Sequence, residues 1–364
     1  MLAPCRVNGA DNSEKPDVES VYSGAERRMG RIDRPPDARA HARLPGDFGK
    51  RFAIFVDTEE EFDWDKPLRR ENTAVTAMEG LPEAQRFFRE AGALPIYMAD
   101  WPIVEDDRSA AILAEMHAQD GCEIGTQLHP WVNPPFDEPV TAYNSFTGNL
   151  PVDLQRAKLK RLTERIGERI GERPTLYRAG RYGIGKQTAA LLEAEGYRMD
   201  ASVRALFDYG AQGGPDFSGF ETQAFWGGPG RTLLELPLTA TFIGSLRQWG
   251  ERLFPLGDRI GLWRSIMART GMIQRIALTP EDYPLPQALE AIERLLDDGL
   301  AVFSLSYHSP SVVPGHTPYV RDAADLKAFY AWWDGVFDLF ARRGVTAARA
   351  AEIVAAADTL RLAE

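Results

Sequence analysis

Two carboxylates follow directly after an apolar segment. Residues 52–56 are apolar, and Asp57 and Glu59 come next within an acidic stretch that extends to Asp63. Such an apolar run is typical of a strand buried on both faces of a parallel sheet. Ligands bind at the carboxyl ends of the strands in sheets of this kind. Because like charges held this close repel each other, the pattern predicts a site completed by a metal ion or an arginine.

Three further polar residues follow strand-like segments, namely His129, Arg178 and His308. Histidines at strand ends recur as metal ligands and proton carriers. An arginine at a strand end could pair with Asp57 and orient that carboxylate as a base. Each residue alone could be structural, but together they predict a functional site at one edge of the sheet.

The elements that must position these residues alternate along the chain. Strand signals fall at 52–57, 94–99, 122–127, 175–179, 198–203, 233–238 and 301–307. Helix signals fall at 80–92, 105–119, 151–170, 186–196, 284–298 and 322–343. This alternation predicts an α/β fold with a parallel sheet, and the number of strands favours closure into a barrel.

Composition divides the chain into a tail and one domain. Residues 1–49 are rich in Pro, Gly, Arg, Asp and Ala, which predicts a disordered or loosely packed tail. Residues 50–358 are expected to form a single barrel domain. Residues 205–230 are dense in glycine, proline and aromatic residues, which indicates a long ordered loop.

Residues 243–275 carry six arginines and several aromatic residues within an acidic protein. This pattern predicts a basic amphipathic helical insertion. Its aromatic residues could simply cover the core. Alternatively, the insertion could be a lid, or a surface that contacts anionic lipid or a polyanionic glycan.

The overall composition limits the partners. A net charge of −11 and a pI near 5.2 argue against nucleic acid as a partner. The two cysteines, Cys5 and Cys122, lie in unrelated contexts, which fits a reducing compartment. With no signal-peptide pattern and no membrane-length apolar run, a cytoplasmic protein is expected.

One stretch suggests a different chemistry. Residues 180–187 nearly match a phosphate-binding loop, but Gln187 stands where the magnesium-binding hydroxyl is required. The glycines are more simply explained by a tight turn between a strand and a helix. The sequence contains neither G-x-S-x-G nor C-x-x-C, so a serine-hydrolase elbow and a zinc ribbon are not supported.

Several of these segments together resemble the polysaccharide deacetylases, the NodB-homology group of carbohydrate esterases, and look closest to its WalW-like subgroup. The resemblance covers about residues 50–350 and is carried by residues 56–59, 123–131, 177–182 and 306–315, with Asp200 in a further block. It implies a distorted (β/α)7-type barrel. It also implies Asp57 as the base, Arg178 as the residue that orients it, and His308 as the acid.

The same resemblance implies a divalent metal, most consistent with zinc, bound by Glu59 and His129. The chain departs from the family pattern here, because Gln127 and Trp131 stand where two histidines are expected. Gln127, Glu61, Asp63 or His316 could complete the ligand set. Trp131, Tyr182 and Asp63 are expected to contact a carbohydrate substrate.

Three functions remain open from the sequence. The first is removal of an N-acetyl group from a sugar of a bacterial surface polysaccharide or its precursor. The second is metal-independent hydrolysis of an amide in a small molecule. The third is glycan binding without catalysis, which the altered histidine segment suggests.

Overall fold

The computed structural model describes residues 30–62, 66–250 and 271–362. The strands are β1 (Arg51–Thr58), β2 (Ile96–Ala99), β3 (Ile124–Leu128), β4 (Leu176–Ala179), β5 (Met199–Asp200), β6 (Phe225–Gly227), β7 (Leu233–Glu235), β8 (Ala240–Ile243), β9 (Gln274–Ala277), β10 (Val302–His308) and β11 (Thr346–Ala347). The helices are α1 (Leu81–Glu90), α2 (Trp101–Glu105), α3 (Asp107–Asp120), α4 (Val152–Ile170), α5 (Thr188–Ala194), α6 (Leu285–Asp297), α7 (Ala323–Arg343) and α8 (Ala350–Arg361). Each of the seven predicted strands and the six helices of the alternating pattern has a counterpart at its expected place.

One curled sheet holds the strands in the order β10-β1-β2-β3-β4-β5-β7-β6, with β11 beside β1. Its neighbours are parallel except β6, which runs antiparallel to β7. The backbone between β7 and β8 connects the two sides of the curl: Leu238 N donates to Val203 O at 2.8 Å, and Thr239 N donates to Ser304 O at 3.1 Å. The predicted α/β barrel with parallel strands is confirmed.

Strand β1 is buried on both faces, as its apolar sequence predicts. Phe52, Ile54 and Val56 belong to one hydrophobic cluster, whereas Ala53 and Phe55 belong to another. Helices α1, α6 and α7 contribute side chains to the first cluster. Packing on both faces fixes the position of β1 and of the acidic residues at its carboxyl end.

Strand register brings distant polar residues to one end of the barrel. Asp57 is the register partner of His308 across β1 and β10. Gln127 is the register partner of Arg178 across β3 and β4. Since parallel strands end on the same side, these side chains are placed around one opening.

The boundary of the N-terminal segment differs from the expectation. Residues 1–29 lie outside the described residues, but residues 30–49 pack on the domain. Ile32 is buried, Ala42 N donates to Ala224 O at 2.8 Å, and Trp226 N donates to Ala40 O at 2.8 Å. Backbone pairing beside β6 therefore orders a segment whose composition alone indicates a loose tail.

The predicted loop 205–230 contains strand β6, and its rings of Phe217 and Phe220 are buried. The predicted insertion 243–275 lies mostly outside the described residues, because 251–270 is not described. Its described ends hold strands β8 and β9, which pair antiparallel, and the short 3-10 turn Arg247–Trp249. No helix in the described ranges is long and apolar enough to cross a bilayer.

Candidate active site

Arg178 orients Asp57 at the carboxyl end of β1. Arg178 Nη1 donates to Asp57 Oδ1 at 2.9 Å and to Ser306 Oγ at 2.8 Å. The guanidinium group also lies 5.2 Å from the centre of the Phe55 ring. Since the Arg178 side chain is only 1% exposed, these contacts hold the carboxylate in one orientation. This places Oδ2 of Asp57 on the side of His308.

Two buried carboxyl groups, those of Asp200 and Glu235, lie close enough to Arg178 for its charge to affect their pKa values. Asp200 and Glu235 are register partners on β5 and β7, and both are fully buried. Burial raises the pKa of Asp200 to about 6 and that of Glu235 well above its usual range, while the positive charge of Arg178 opposes both shifts. Two buried acids in contact do not both ionise readily, and the charge of Asp200 is a further cause of the raised pKa of Glu235.

His308 is held by Glu281, a residue that the sequence did not single out. His308 Nδ1 lies 2.6 Å from Glu281 Oε2, and the His308 backbone N donates to Glu281 Oε1 at 3.0 Å. Ser311 Oγ donates to the same Oε1 at 2.6 Å. These contacts turn the opposite nitrogen, Nε2, toward Asp57, whose Oδ2 lies 3.7 Å away.

The surroundings of His308 favour its protonated form. Burial lowers its pKa, but the negative charges of Glu281, Glu59 and Asp57 outweigh that effect and raise the pKa to about 10. At neutral pH the ring therefore carries a proton on each nitrogen, and Nε2 can donate one into the site.

Gln127 lies between the two predicted metal ligands. Its amide Nε2 lies 2.9 Å from Glu59 Oε2 and 3.3 Å from His129 Nε2. The latter two atoms are 3.5 Å apart. All three side chains are buried at the ends of β1 and β3. Burial raises the pKa of Glu59 to about 7, although the charges of His308 and His129 oppose the shift.

A second set of acids orients His129 through Nδ1, the ring nitrogen on the side away from Glu59 and Gln127. Its Nδ1 lies 2.8 Å from Glu60 Oε2, and its ring stacks on Trp131 with the ring centres 4.4 Å apart. Trp131 Nε1 donates to Glu60 Oε1 at 2.8 Å. Glu60 N in turn donates to Asp100 Oδ2 at 3.1 Å, while Asp100 Oδ1 caps helix α2 by accepting from Ile103 N.

Burial has a strong effect on these two acids. It raises the pKa of Glu60 to about 8 and the pKa of Asp100 well above its usual range. Glu60, Asp100 and His129 also form a group whose potential metal-ligand atoms lie within 4.8 Å of one another. Because both carboxyl groups already accept hydrogen bonds and neither lines the pocket, this group is better suited to orient His129.

The residues that face the pocket fit a divalent cation. Glu59 Oε2, His129 Nε2 and the Gln127 amide are separated from one another by 2.9, 3.3 and 3.5 Å. Atoms bound tetrahedrally to zinc lie roughly 3.3 Å apart. Gln127 Oε1 is buried and has no hydrogen-bond partner within the described ranges. Rotation of the amide by half a turn would place this oxygen where Nε2 now lies, next to Glu59 Oε2 and His129 Nε2.

The pocket at this end of the barrel has a volume of about 500 Å³. Its lining includes seven of the residues predicted for the site, namely Asp57, Glu59, Gln127, His129, Arg178, Tyr182 and His308. A larger cavity of about 800 Å³ contains none of these groups, so the smaller pocket is the candidate active site.

Three other residues predicted for the site, namely Trp131, Glu61 and His316, do not line the pocket. Trp131 is 1% exposed and packs behind His129 rather than lining the pocket. Asp63 lies outside the described residues. Glu61 Oε2 lies 3.1 Å from His316 Nδ1, and this pair is not part of the pocket lining.

The glycines between β4 and α5 have a structural explanation. A Cβ on Gly180 would lie 2.2 Å from His129 Cδ2, and a Cβ on Gly185 would lie 2.6 Å from Gly148 O. Both positions therefore require glycine because other groups approach closely. The similarity to a phosphate-binding loop arises from this packing.

No family model and no curated protein matches the chain. Among solved structures, it is similar to a protein from Mycobacterium smegmatis assigned as a polysaccharide deacetylase. That match has a TM-score of 0.50 and 16% identity, and it covers 90% of this chain and 96% of that chain. The chain is also similar to the Puue allantoinase, with a TM-score of 0.50, 14% identity and coverage of 88% and 93%. At these identities the likeness shows the fold, and the reaction must be argued from the side chains.

Proposed function

We propose that the protein hydrolyses a carbon–nitrogen amide bond and removes an N-acetyl group from a sugar. The observation that carries this proposal is the approach of Asp57 to His308 in a pocket, with each residue oriented by a separate partner. Amide hydrolysis requires a base for water and an acid for the departing amine. These two residues suit those roles, and the fold is shared with a protein assigned as a polysaccharide deacetylase.

Asp57 takes a proton from the attacking water in this mechanism. Arg178 Nη1 donates a hydrogen bond to Oδ1 of this carboxylate from the buried side. The pocket lies on the other side of the carboxylate, because Asp57 is one of its lining residues. A water bound there meets Oδ2 at the mouth of the barrel, beside the carbonyl carbon that it attacks.

His308 supplies the proton for the leaving group. Its raised pKa of about 10 keeps the ring protonated at neutral pH. Glu281 holds Nδ1, so Nε2 is the atom that delivers the proton. An amine expelled without a proton is a poor leaving group, which makes this donation necessary for the bond to break.

Glu59 and His129, with Gln127 turned to present Oε1, are the residues that would hold a divalent metal. When bound, such a cation lowers the pKa of water and stabilises negative charge on the carbonyl oxygen. Glu60 supports this arrangement by holding His129 Nδ1, which leaves Nε2 directed to the pocket. Zinc is the most suitable ion for a set of carboxylate and imidazole ligands.

A second candidate function is metal-independent hydrolysis of an amide in a small molecule. The position of the Gln127 amide favours it, because Nε2 can donate one hydrogen bond to Glu59 and another to His129. In this arrangement an uncharged N–H group, rather than a metal ion, bridges Glu59 and His129. The fold is also shared with an allantoinase.

The substrate proposed here is an N-acetylated sugar of a bacterial surface polysaccharide, or a precursor of one, as in the WalW-like subgroup. Tyr182 lines the pocket and stacks on Tyr209 with the ring centres 5.7 Å apart. Such rings are suitable surfaces for a sugar face. Contact of residues 243–275 with anionic lipid is a separate prediction. Flotation with anionic vesicles would test it, and a protein that does not co-migrate with the vesicles would refute it.

Acetate release from a panel of N-acetyl sugars tests the first function. Asp57→Asn and His308→Ala should each lower the rate by about 10²–10⁴-fold. Equal release by wild type and both variants would refute the assignment of the site. If wild-type protein binds the sugars but releases no acetate, the glycan-binding alternative is supported instead.

Metal content separates the two hydrolytic candidates. Protein prepared with zinc present should retain about one equivalent per chain if the three pocket ligands bind it. Activity on small cyclic or ureido amides that persists after chelation, in protein without metal, would favour the second candidate.

A further inference from the structure

The turn after β4 places two residues in an unusual backbone conformation at the pocket. Arg181 and Tyr182 have φ values of 54° and 58°. Residues other than glycine rarely adopt this left-handed region, and it persists only where surrounding contacts enforce it. Both residues line the pocket. The turn therefore presents the Arg181 side chain to the same opening that contains Asp57 and His308.

Among the residues that the structure describes, neutral groups contact the guanidinium group of Arg181. It donates to Ser145 Oγ and, at 2.5 Å, to Gln212 Oε1, and it lies 4.4 Å from the centre of the Phe146 ring. Within the described ranges, Arg181 has no ion pair with a carboxylate. Burial lowers its pKa, but an arginine remains charged.

Other arginines of the same pocket differ in this respect. Arg178 is paired with Asp57 at 2.9 Å, and Arg204 is paired with Asp282 at 2.9 Å. Arg181 is half-buried, and neutral acceptors hold both terminal nitrogens of its guanidinium group. In the part of the chain that the structure describes, no carboxylate pairs with its positive charge. A ligand that carries a negative charge would balance it.

We infer that Arg181 binds an anionic group of the substrate, either a carboxylate or a phosphate. This inference rests on the proposed function and narrows its substrate class to acidic N-acetylated sugars or sugar phosphates. The planar guanidinium group matches the paired oxygens of both anions. Ser145 and Gln212 fix its plane before the substrate arrives, which reduces the entropic cost of binding.

Binding measurements with an inactive variant test the inference without depending on turnover. In an Asp57→Asn background, calorimetry would compare N-acetylglucosamine with its 1-phosphate, its 6-phosphate, its C6 carboxylate and its 3-O-lactyl ether. At least one acidic sugar should bind more tightly than the neutral sugar. The preferred member of the panel distinguishes a phosphate from a carboxylate.

Adding Arg181→Asn should weaken binding of the preferred acidic sugar by about 10- to 100-fold and leave the neutral sugar unchanged. Asparagine tolerates the left-handed backbone better than most residues, so this change removes the charge with little disturbance of the turn. Arg181→Lys should give an intermediate affinity, because it keeps the charge but not the planar pair of donors. Lys186→Gln is the matched control, since Lys186 is exposed in the same loop and does not line the pocket.

Two results would overturn the inference. One is equal affinity of neutral and acidic sugars in the parent variant, and the other is an equal loss for both kinds of sugar in Arg181→Asn. Failure of the proposed function is distinguishable, because it would appear as absence of acetate release by wild type while charge-dependent binding through Arg181 persists.

Discussion

Asp57 and His308 are register partners on adjacent parallel strands, and their side chains approach to 3.7 Å. Each has its own buried partner on the far side, Arg178 for Asp57 and Glu281 for His308. An acid and a base at this distance can act on the same bond, and each is held in place by a partner of its own.

Glu281→Gln should shift the pH dependence of activity. Glutamine can still accept from the His308 backbone N but no longer supplies a negative charge beside Nδ1. The pKa of His308, raised to about 10 in the wild type, should then fall by about 1–3 pH units. Since the acid must be protonated, the loss of kcat/KM at alkaline pH should move to lower pH by the same amount. An unchanged alkaline limb would exclude His308 as the acid.

Stability should also depend on the charge of His308. Because its folded-state pKa is raised, the charged ring contributes stability that is fully present below its unfolded pKa of about 6.5. That contribution is lost as the pH rises through the folded-state pKa of about 10. Urea unfolding between these limits should show decreasing stability in the wild type and a weaker decrease in His308→Gln. Parallel curves for both proteins would contradict this account.

Gln127→His should strengthen metal binding. The new imidazole would replace a weakly binding amide between Glu59 and His129 and give the three strong ligands that zinc prefers. Competition with a chelator should show affinity at least about tenfold higher than that of the wild type, and Gln127→Leu should show lower affinity. Identical affinities in all three proteins would place the metal elsewhere, for example at Glu60 and Asp100.

Gly180→Ala should disturb the site through packing alone. The added Cβ would lie 2.2 Å from His129 Cδ2 and 2.8 Å from Leu128 O. Overpacking of this kind typically costs about 1–3 kcal/mol, and it should displace the His129 ring. Thermal unfolding and activity should both decline. Gly46→Ala is the control, because a Cβ there meets nothing within 4 Å; similar losses in both variants would contradict the packing argument.

The sequence predicted most of the fold because the barrel uses regular local patterns. Apolar strands followed by amphipathic helices fix the parallel sheet, and parallel strands end at the same side. That rule alone predicts that Asp57, Arg178 and His308 lie close together. The order of a backbone-paired segment such as residues 30–49 could not be predicted, because its bonds to residues 224–228 are made by main-chain groups.

The sequence does not indicate the roles of Glu281 and Glu60, for different physical reasons. Glu281 follows β9, which lies outside the main sheet. The preceding segment, residues 243–275, interrupts the alternation of strands and helices from which the other site residues are predicted. Glu60 lies in a run of acidic residues. Composition alone does not show that Glu59 faces the pocket and that Glu60 does not. Period-two alternation along the extended chain after Asp57 and Glu59 could have indicated that Glu60 points the other way.

Asp100 connects a helix terminus to the imidazole ring of the site. It caps α2 through Ile103 N and accepts from the backbone of Glu60, which in turn holds His129. The angle of that ring is therefore set by where a helix begins. Random mutagenesis that selects for altered activity should recover substitutions in residues 101–105, none of which lines the pocket.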